Sequence, residues 1–247
     1  MADEIKVKVE NMTKSFGNLL VLDDVSFEVK KGEFLCVVGP TGCGKTTFLN
    51  CLTKLYEPTK GQILINDEPV NLKRHNIAYI FQEYSTMPWL TVEQNVAFGL
   101  KIKHVDPAII KKEVDEVLEI VGLTAYKDYY PVELSTSMIQ RVVIARAFAT
   151  KPELLLMDEP YGQLDIDLRF RLEDELLKLW ERTGTTVIFI THNIEEAVYL
   201  SENILILTNK PTTIKERLKN NLPRPRVVTE PSFINIRTRV TDLIKWW

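Results

Sequence analysis

The stretch GPTGCGKTT, Gly39 to Thr47, decides the fold of this 247-residue chain. It follows the apolar run FLCVV and precedes KTTFLNCLTKL, which has helical spacing, so it should join a buried strand to a helix. Gly42 and Gly44 would let the backbone pass close to phosphate oxygens, and the start of the helix adds partial positive charge. In this context the pattern G-x-x-x-x-G-K-[ST] predicts a phosphate-binding loop.

The side chains of this loop indicate which ligand it holds. Lys45 would bridge the β- and γ-phosphates of a nucleotide, and the Thr46 hydroxyl would hold Mg²⁺. The residues of the loop that we expect to bind the nucleotide are Gly39, Pro40, Thr41, Gly42, Cys43, Gly44, Lys45, Thr46 and Thr47.

A pair of carboxylates follows a second apolar run, in LLLMDE. Asp158 would end a buried strand, where a carboxylate is unfavourable unless it faces a cation, and Mg²⁺ bound through water is a natural counterion. Glu159 comes next and could orient and deprotonate an attacking water. The alternative is an acidic pair that simply faces solvent at the end of a strand.

His192 follows the apolar run TVIFIT. A lone histidine at a strand end is usually structural. Here we expect the strand to lie beside the strand of the phosphate-binding loop, at the edge where such sheets bind ligands, so His192 should contact the γ-phosphate. Asn193 can cap the next helix.

The order of the remaining segments predicts the fold class. The first third alternates strand-like runs with turns, and the middle, from about Thr91 to Ala149, has helical spacing. Strand and helix patterns then alternate again, and the strands are uniformly apolar, which indicates a parallel sheet covered on both faces. After Thr208 the pattern is irregular until a last helix near Phe233 to Lys245.

Composition excludes several classes of function. A formal net charge of −3 gives no electrostatic case for binding nucleic acid or an anionic membrane surface. The runs LLLM and VIFI are too short to span a bilayer, and the charged start MADEIKVKVE is not a signal peptide. Cys36, Cys43 and Cys51 have neither disulfide nor metal-ligand spacing, which favours reduced thiols near a core. We therefore expect a soluble cytoplasmic protein that reaches a membrane only through a partner.

Five motifs occur in a fixed order: GPTGCGKTT, FQEYSTMPWLT, ELSTSMIQR, LLLMDEPYGQLD and ITHNIEEA. Over nearly the whole chain they resemble the ATP-binding subunit of an ABC transporter. The resemblance implies an α/β fold: a P-loop NTPase core with a parallel sheet, an N-terminal antiparallel β part and a helical insertion. It implies one ABC ATPase domain over residues 1–247, with a helical subdomain at about 88–150 and a C-terminal tail at about 209–247.

The resemblance also implies roles for residues outside the loop. Phe16 would stack on adenine, where the family more often has tyrosine, although a plain core aromatic is the alternative. Gln82 would touch Mg²⁺ or the attacking water and link the site to the helical insertion. Asp165, in GQLD, would lie in the loop that crosses a dimer interface. Ser135 would contact the γ-phosphate of ATP held by a second ATPase subunit.

A narrower resemblance, to the ATPases of nitrate, sulfonate and taurine importers, rests on FQEYSTMPWLTVEQNV and on the tail element LPRPR. In that class the surface from about Gln82 to Trp89 would receive a helix of a membrane permease. Met87, Pro88 and Trp89 are apolar for a loop, which suits docking, but such a loop could also fold onto its own core. LPRPR could be an ordinary tail linker.

The segment ELSTSMIQR departs from the family pattern, which has Leu-Ser-Gly-Gly. Thr136 and Ser137 occupy the two glycine positions, where close backbone approach to phosphate is needed. Losing one hydrogen bond to a charged group costs about 1.5–3 kcal/mol, so impairment rather than abolition is expected. Alternatively, the hydroxyls of Thr136 and Ser137 replace the lost donors. The altered segment faces a partner's ATP, so the chain could form a heterodimer with an ordinary subunit or a homodimer with two slow sites.

The sequence thus predicts an ATPase that needs ATP and Mg²⁺ and powers import of a small solute through separate permease subunits. A solute-binding protein would act indirectly, and the subunit would be peripheral on the cytoplasmic face of the membrane. Two alternatives remain open: a soluble ABC ATPase outside transport, and a regulatory subunit that binds ATP but hydrolyses it slowly because of the altered segment.

Overall fold

The computed structural model describes residues 4–162 and 164–244. The chain separates into two compact units, the first formed by Met1–His75 with Thr186–Trp247 and the second by Asn76–Thr185. The phosphate-binding loop belongs to the first unit and the acidic pair to the second. The expectation of a single domain over residues 1–247, with its subdomain and tail, stays a prediction.

The β-strands are β1 (Ile5–Phe16), β2 (Leu19–Lys30), β3 (Phe34–Val38), β4 (Lys60–Ile65), β5 (Glu68–Pro69), β6 (Ile77–Ile80), β7 (Leu154–Asp158), β8 (Thr186–Ile190), β9 (Asn203–Leu207) and β10 (Ile214–Lys219). The α-helices are α1 (Lys45–Leu52), α2 (Val92–Ile102), α3 (Pro107–Ile120), α4 (Thr136–Ala149), α5 (Ile166–Thr183), α6 (Ile194–Leu200) and α7 (Pro231–Ile244).

The first unit contains an antiparallel sheet in the order β2-β1-β4-β5. Along β2, buried and exposed residues alternate from Val25 to Lys30, as expected for a strand with one face on a core. The predicted N-terminal antiparallel part is therefore confirmed.

The first unit also contains the strand that leads into the phosphate-binding loop. β3 lies between β8 and β9 and runs parallel to both, while β10 pairs antiparallel with β9. Every residue of β3 and β8 is buried, which explains their uniformly apolar sequences. Because Val37 pairs with Ile190, the loops after these two strands leave the same edge of the sheet. This confirms that the strand before His192 lies beside the strand of the loop.

The second unit joins a parallel strand pair to four helices. β6 runs beside β7, with Ile80 opposite Met157. Helix α2 begins with a capping box between Thr91 and Gln94, and α3 begins with an Asp106 cap followed by Pro107. Helix α5 ends at Gly184, whose φ of 62° is the left-handed conformation that closes many helices. The expected helical stretch between Thr91 and Ala149 is present.

The tail differs from the sequence expectation in one respect. An irregular segment was expected after Thr208, yet Ile214–Lys219 forms β10 on β9. The last helix begins at Pro231, slightly before the expected Phe233, and Lys245 lies outside the described residues. Across residues 4–162 and 164–244, no helix combines the length and apolar character needed to cross a bilayer.

Candidate nucleotide-binding site

The loop after β3 has a backbone that depends on glycine. Gly42 and Gly44 have φ values of 76° and 115°, which side-chain-bearing residues rarely adopt. A Cβ on Gly44 would lie 2.8 Å from Cγ1 of Val21, and one on Gly39 would lie 3.0 Å from Cβ of Leu207. The loop is thus packed closely against its neighbours at Gly39 and Gly44, whereas at Gly42 only the backbone conformation requires glycine.

Lys45 begins α1 and folds back over the loop. Its ammonium donates hydrogen bonds to the carbonyl oxygens of Gly39, at 3.0 Å, and Pro40, at 3.2 Å, and the residue is only 6% exposed. Gly44 supplies no side-chain cap, so the first N–H groups of α1 face the loop without a capping side chain. Thr46 is exposed and Cys43 is buried, and burial raises the pKa of the Cys43 thiol. The arrangement suits a bound polyphosphate.

His192 lies just past β8, at the same sheet edge as the loop. The backbone N–H of Thr191 donates to the Val37 oxygen at 3.2 Å, which continues the strand pairing up to the residue before His192. On the other side, the Asn193 side chain accepts hydrogen bonds from the N–H groups of Glu195, at 2.9 Å, and Glu196, at 3.4 Å, which confirms it as the cap of α6. The His192 side chain, which lies between the paired residue Thr191 and the helix cap Asn193, is exposed.

Phe16 ends β1 and carries an exposed ring. The side chain is 42% exposed, so it is not a plain core aromatic. The Tyr56 ring packs edge-on against it, with centroids 5.2 Å apart, and the Lys14 ammonium lies 4.9 Å from the Phe16 centroid. Neither Tyr56 nor Lys14 was identified from the sequence, because one lies beyond the end of α1 and the other belongs to an ordinary strand pattern. An exposed ring of this kind can stack on a base.

Asp158 ends β7 in the second unit. The residue is 5% exposed, and the Tyr79 hydroxyl donates to its Oδ2 at 3.4 Å. Burial, together with the Asp158 charge, raises the pKa of Tyr79 above its usual range, so Tyr79 stays a neutral donor. The predicted position of Asp158 at a buried strand end is therefore correct, and Tyr79 is a partner that the sequence did not indicate.

Glu159 has a backbone conformation that is rare outside glycine. Its φ is 47°, and its carbonyl oxygen accepts a hydrogen bond from the N–H of Gly162 at 3.2 Å, so the chain turns sharply after β7. A left-handed glutamate stores of order 1–3 kcal/mol of strain, and such strain is concentrated at functional sites. The turn places Glu159 at the carboxyl end of β7, next to Asp158.

Gln82 reaches the same edge of the second unit from the neighbouring strand. It is exposed and comes just after β6, whose last residue Ile80 pairs with Met157 on β7. Gln82, Asp158 and Glu159 therefore share the carboxyl end of one parallel strand pair.

The altered segment forms the first turn of α4. Ser135 is the helix cap: its hydroxyl accepts from the Met138 N–H at 3.4 Å and lies 3.1 Å from the Ser137 hydroxyl. Ser135 and Thr136 are exposed. Thr136 and Ser137 are thus accommodated as ordinary first-turn helix residues, and Ser137 places a second hydroxyl beside that of Ser135.

Asp165 caps α5. Its Oδ1 accepts from the Leu168 N–H at 2.9 Å, and the residue is exposed. Gln163, the second residue of GQLD, lies outside the described residues.

The loop from Gln82 to Trp89 is exposed at its tip but held firmly from below. The side chain of Asn95, fully buried on α2, exchanges hydrogen bonds with the backbone of Met87 at 2.8 and 3.1 Å. The Arg146 guanidinium of α4 donates to the carbonyl oxygen of Ser85 at 2.7 Å and to its hydroxyl at 2.6 Å. Trp89 is 72% exposed, so the alternative that this tip folds onto its own core does not hold for Trp89.

The donors of each unit fit ATP and Mg²⁺ rather than a protein-only metal centre. Within the described residues, no group of three or more His, Cys, Asp or Glu side chains could hold an ion by itself. Mg²⁺ is usually bound by one or two protein ligands with phosphate and water. Each unit offers one oxygen of a kind that Mg²⁺ uses: the exposed Thr46 hydroxyl in the first and the buried Asp158 carboxylate in the second. The three cysteines are buried free thiols, as expected from their spacing.

Comparison with known proteins identifies the family. Residues 22–162 match the family model described as ABC transporter. The chain belongs to the ABC transporter family. It is 43% identical over 246 residues to an uncharacterised ABC transporter ATP-binding protein of Methanocaldococcus jannaschii, covering 98% of this chain and 92% of that protein.

Two further relatives sharpen this assignment to ABC ATPases. The chain is 43% identical over 228 residues to the aliphatic sulfonates import ATP-binding protein SsuB of Bacillus thuringiensis, covering 92% of this chain and 90% of that protein. It also superposes, with a TM-score of 0.75 and 31% identity, on a dimeric ATP-binding cassette in a post-hydrolysis state bound to ADP and Pi, covering 88% of this chain and all of that one. The chain is therefore an ABC ATPase with the predicted P-loop α/β fold.

Proposed function

We propose that this ABC ATPase hydrolyses ATP to drive import of an aliphatic sulfonate or a related small anion through separate membrane permease subunits. The similarity to the sulfonate import protein, at 43% identity along nearly the full length of both chains, is the observation that carries the proposal. The apolar tip of the loop from Gln82 to Trp89, held by Asn95 and Arg146, supports it because this is where the importer class would dock a permease helix.

The chain's own nucleotide is held mainly by the first unit. Phe16 stacks on adenine, and the glycine-dependent loop surrounds the phosphates. The Lys45 ammonium then donates hydrogen bonds to phosphate oxygens in place of the carbonyl oxygens of Gly39 and Pro40. Thr46 in the first unit, and Asp158 and Gln82 in the second, are the residues that would hold Mg²⁺, which would neutralise charge on the phosphates.

Glu159 and His192 act on the reacting group. Glu159 accepts a proton from the attacking water, and the sharp turn at its left-handed backbone lies directly after β7. His192, exposed at the carboxyl edge of β8, donates a hydrogen bond to the γ-phosphate. Both functions need the nucleotide in place.

A second ATPase subunit completes each site. The similar cassette of known structure is dimeric. Ser135 and Asp165 are exposed as an interface would require, and Ser137 is half-buried beside Ser135. We infer that Ser135 and Ser137 contact ATP held by the partner. The chain forms either a homodimer or a heterodimer with a subunit whose signature has both glycines. The subunit sits peripherally on the cytoplasmic face of the membrane, and a solute-binding protein delivers the anion to the permease.

Phosphate release by the purified protein tests the ATPase mechanism. Wild type should hydrolyse ATP, and Glu159→Gln should lower kcat by at least about a hundredfold, since general bases contribute roughly 10²–10⁴-fold. Glu181→Gln, an exposed change on α5, is the matched control and should keep the wild-type rate. Equal rates of phosphate release by Glu159→Gln and the control would contradict the proposed role of Glu159 as the general base.

Growth tests the transported solute. A strain that lacks this gene should fail to grow with an alkanesulfonate as sole sulfur source and should grow normally on sulfate. Restored growth with the wild-type gene but not with Glu159→Gln supports hydrolysis-driven sulfonate import, whereas normal growth of the deletion strain on several alkanesulfonates would contradict it.

The altered signature favours a second candidate function, a regulatory subunit that binds ATP but hydrolyses it slowly. In that case nucleotide would bind tightly, phosphate release would stay at background, and Glu159→Gln would change nothing. The same assay therefore separates the two functions.

A further inference from the structure

The tail element LPRPR, Leu222 to Arg226, is not used by the proposed mechanism, yet its arginines face inwards. Arg226 is only 8% exposed although it carries a full charge. A buried arginine is unfavourable unless hydrogen bonds satisfy it, so its partners indicate what it stabilises.

The partners are the carbonyl groups at the end of α6. Arg226 Nη1 donates to the oxygens of Val198, at 2.7 Å, and Tyr199, at 2.8 Å. Arg224 Nη2 donates to the oxygen of Leu200 at 2.6 Å. The side-chain amide of Asn220, 5% exposed, adds a second donor to Val198 at 2.8 Å.

These bonds complete the end of the helix. The last four carbonyls of a helix have no partner within it, and cationic side chains are favoured there. In α6 the oxygen of Ala197 is bonded by Ser201, and those of Val198, Tyr199 and Leu200 are bonded by the tail. A seven-residue helix is too short to be stable by itself, so this end depends on the tail.

The tail also holds the beginning of α6. Arg237, on α7, lies 3.1 Å from the carboxylate of Glu195 in the first turn of α6. Phe233 and Val240 of α7 are buried, so α7 is anchored by packing as well. The tail therefore contacts α6 at both of its ends.

His192 lies between β8 and this helix, directly before the cap Asn193. We propose that Arg226, with Arg224 and Asn220, positions His192 for the γ-phosphate by holding α6 in place. This rests on the proposed role of His192. The arginines touch no nucleotide, so they are positioning residues. The alternative is that LPRPR only stabilises the fold.

Arginine is required for this geometry. Its Nη1 reaches the carbonyls of Val198 and Tyr199 while Nε and Nη2 donate to the Leu222 oxygen at 3.4 Å. A lysine ammonium could reach the first two carbonyls but lacks the planar set of donors that also binds the third. Burial, with a smaller contribution from the neighbouring Arg224 charge, lowers the pKa of Arg226 to about 10, so the group stays cationic at neutral pH.

Steady-state hydrolysis by the full-length protein tests the proposal. Arg226→Met should lower kcat about tenfold, the value of one charged hydrogen bond, while KM for ATP stays within about twofold because the loop is intact. Arg226→Lys should recover part of the loss. Arg239→Met is the control, since Arg239 belongs to the same tail but pairs with Glu216 at 2.5 Å and is largely exposed.

A double-mutant cycle separates positioning from general stability. If Arg226 acts through His192, adding Arg226→Met to His192→Ala should leave the residual kcat unchanged. The proposal would be overturned if Arg226→Met lowered kcat by the same factor in the His192→Ala background as in wild type. It would also be overturned if Arg226→Met and Arg239→Met had the same kcat. A wild-type rate for His192→Ala would overturn both this proposal and the proposed role of His192, whereas the role of Glu159 would be judged separately by Glu159→Gln.

A second variant covers the case in which Arg226→Met does not fold. Arg224→Met removes the bond to the Leu200 oxygen and leaves Arg226 with both of its α6 carbonyls in place. Hydrogen exchange should then accelerate in the amides of residues 192–197 and stay unchanged in residues 39–50. Unchanged exchange in both segments, together with an unchanged kcat, would overturn the proposal.

Discussion

Gly44 shows at the scale of one residue how the backbone makes the phosphate site. Its φ is 115°, a backbone conformation that residues with a side chain rarely adopt. Independently, a Cβ at this position would lie only 2.8 Å from Val21. The sequence pattern predicted glycine here for close approach to phosphate. The structure adds that packing against β2 imposes the same requirement before any ligand binds.

Replacing Gly44 by alanine should therefore weaken nucleotide binding. We expect the Kd for ATP, measured by fluorescence titration, to rise by at least about tenfold, because the loop must shift to relieve the contact with Val21. Gly184→Ala is the matched control: its φ of 62° is also left-handed, but a Cβ there would meet nothing within 4 Å. The control should lower stability by about 1 kcal/mol and leave the Kd unchanged. Equal Kd values for both variants would contradict this explanation.

Cys51 makes the stability of the protein depend on alkaline pH. Burial raises the pKa of its thiol from 9.0 to about 11, an effect that the Lys14 charge opposes and the Glu57 charge increases. The unfolded thiol ionises first, so its contribution to the unfolding free energy is complete below pH 9 and is lost as the pH rises towards 11.

Cys51→Ala should abolish the loss of unfolding free energy that ionisation of this thiol causes at alkaline pH. The difference in thermal midpoint between wild type and variant should narrow as the pH rises between the two pKa values, since all other groups titrate alike in both proteins. A difference that stays constant with pH would show that the thiol has the same pKa in the folded and unfolded states.

At the scale of elements, α4 accommodates Thr136 and Ser137 without distortion. The Ser135 cap and the neighbouring Ser137 hydroxyl give the first turn two side-chain oxygens, where glycines would offer only backbone. The helix is therefore well formed by itself, and with the role proposed for Ser135 and Ser137 any loss would affect the ATP held by the partner subunit.

Restoring both glycines should raise the rate of ATP hydrolysis and lower the stability of the protein. In Thr136→Gly with Ser137→Gly, kcat should rise about ten- to a hundredfold if the side chains prevent close approach, and the melting temperature should fall because glycine disfavours helix. Ile109→Gly, in the exposed first turn of α3, is the control for the helix effect and should not change kcat. An unchanged kcat in the double variant would instead support hydroxyls that replace the lost donors.

The elements differ in how far the sequence could predict them. β3, β7 and β8 are buried and almost entirely apolar, so the sequence predicted them as strands, and α1 was predictable from the phosphate-loop pattern. β10 was missed because IKERLK has only two apolar residues, Ile214 and Leu218, separated by three charged ones, so it lacks the alternation of a strand, and the pairing with β9 supplies what the pattern lacks. The bonds of Arg226 to backbone carbonyls and of Tyr79 to Asp158 could not be predicted, because contacts between residues far apart in the chain leave no local sequence pattern.

At the scale of the whole molecule, the loop from Gln82 to Trp89 is the proposed docking surface for the permease. Asn95 and Arg146 fix its backbone, so little ordering would be needed on binding. An exposed tryptophan on a rigid loop is typical of an interaction hot spot.

Trp89→Ser should abolish co-purification with the permease subunits in detergent. Ile102→Ser is the control, because Ile102 is also a large exposed apolar residue of the same unit, 61% exposed at the end of α2. The control should co-purify as wild type does. Recovery of the complete transporter with Trp89→Ser would exclude Trp89 from the interface.

The bonds between the tail and α6 have a consequence for proteolysis and for gene annotation. A nick or stop codon before Asn220 would remove every donor that the tail gives to the end of α6, together with α7. All five sequence motifs would remain in the shortened chain. A genome survey based on motifs would score such a chain as an intact ATPase, although it would lack the bonds that hold α6 and position His192.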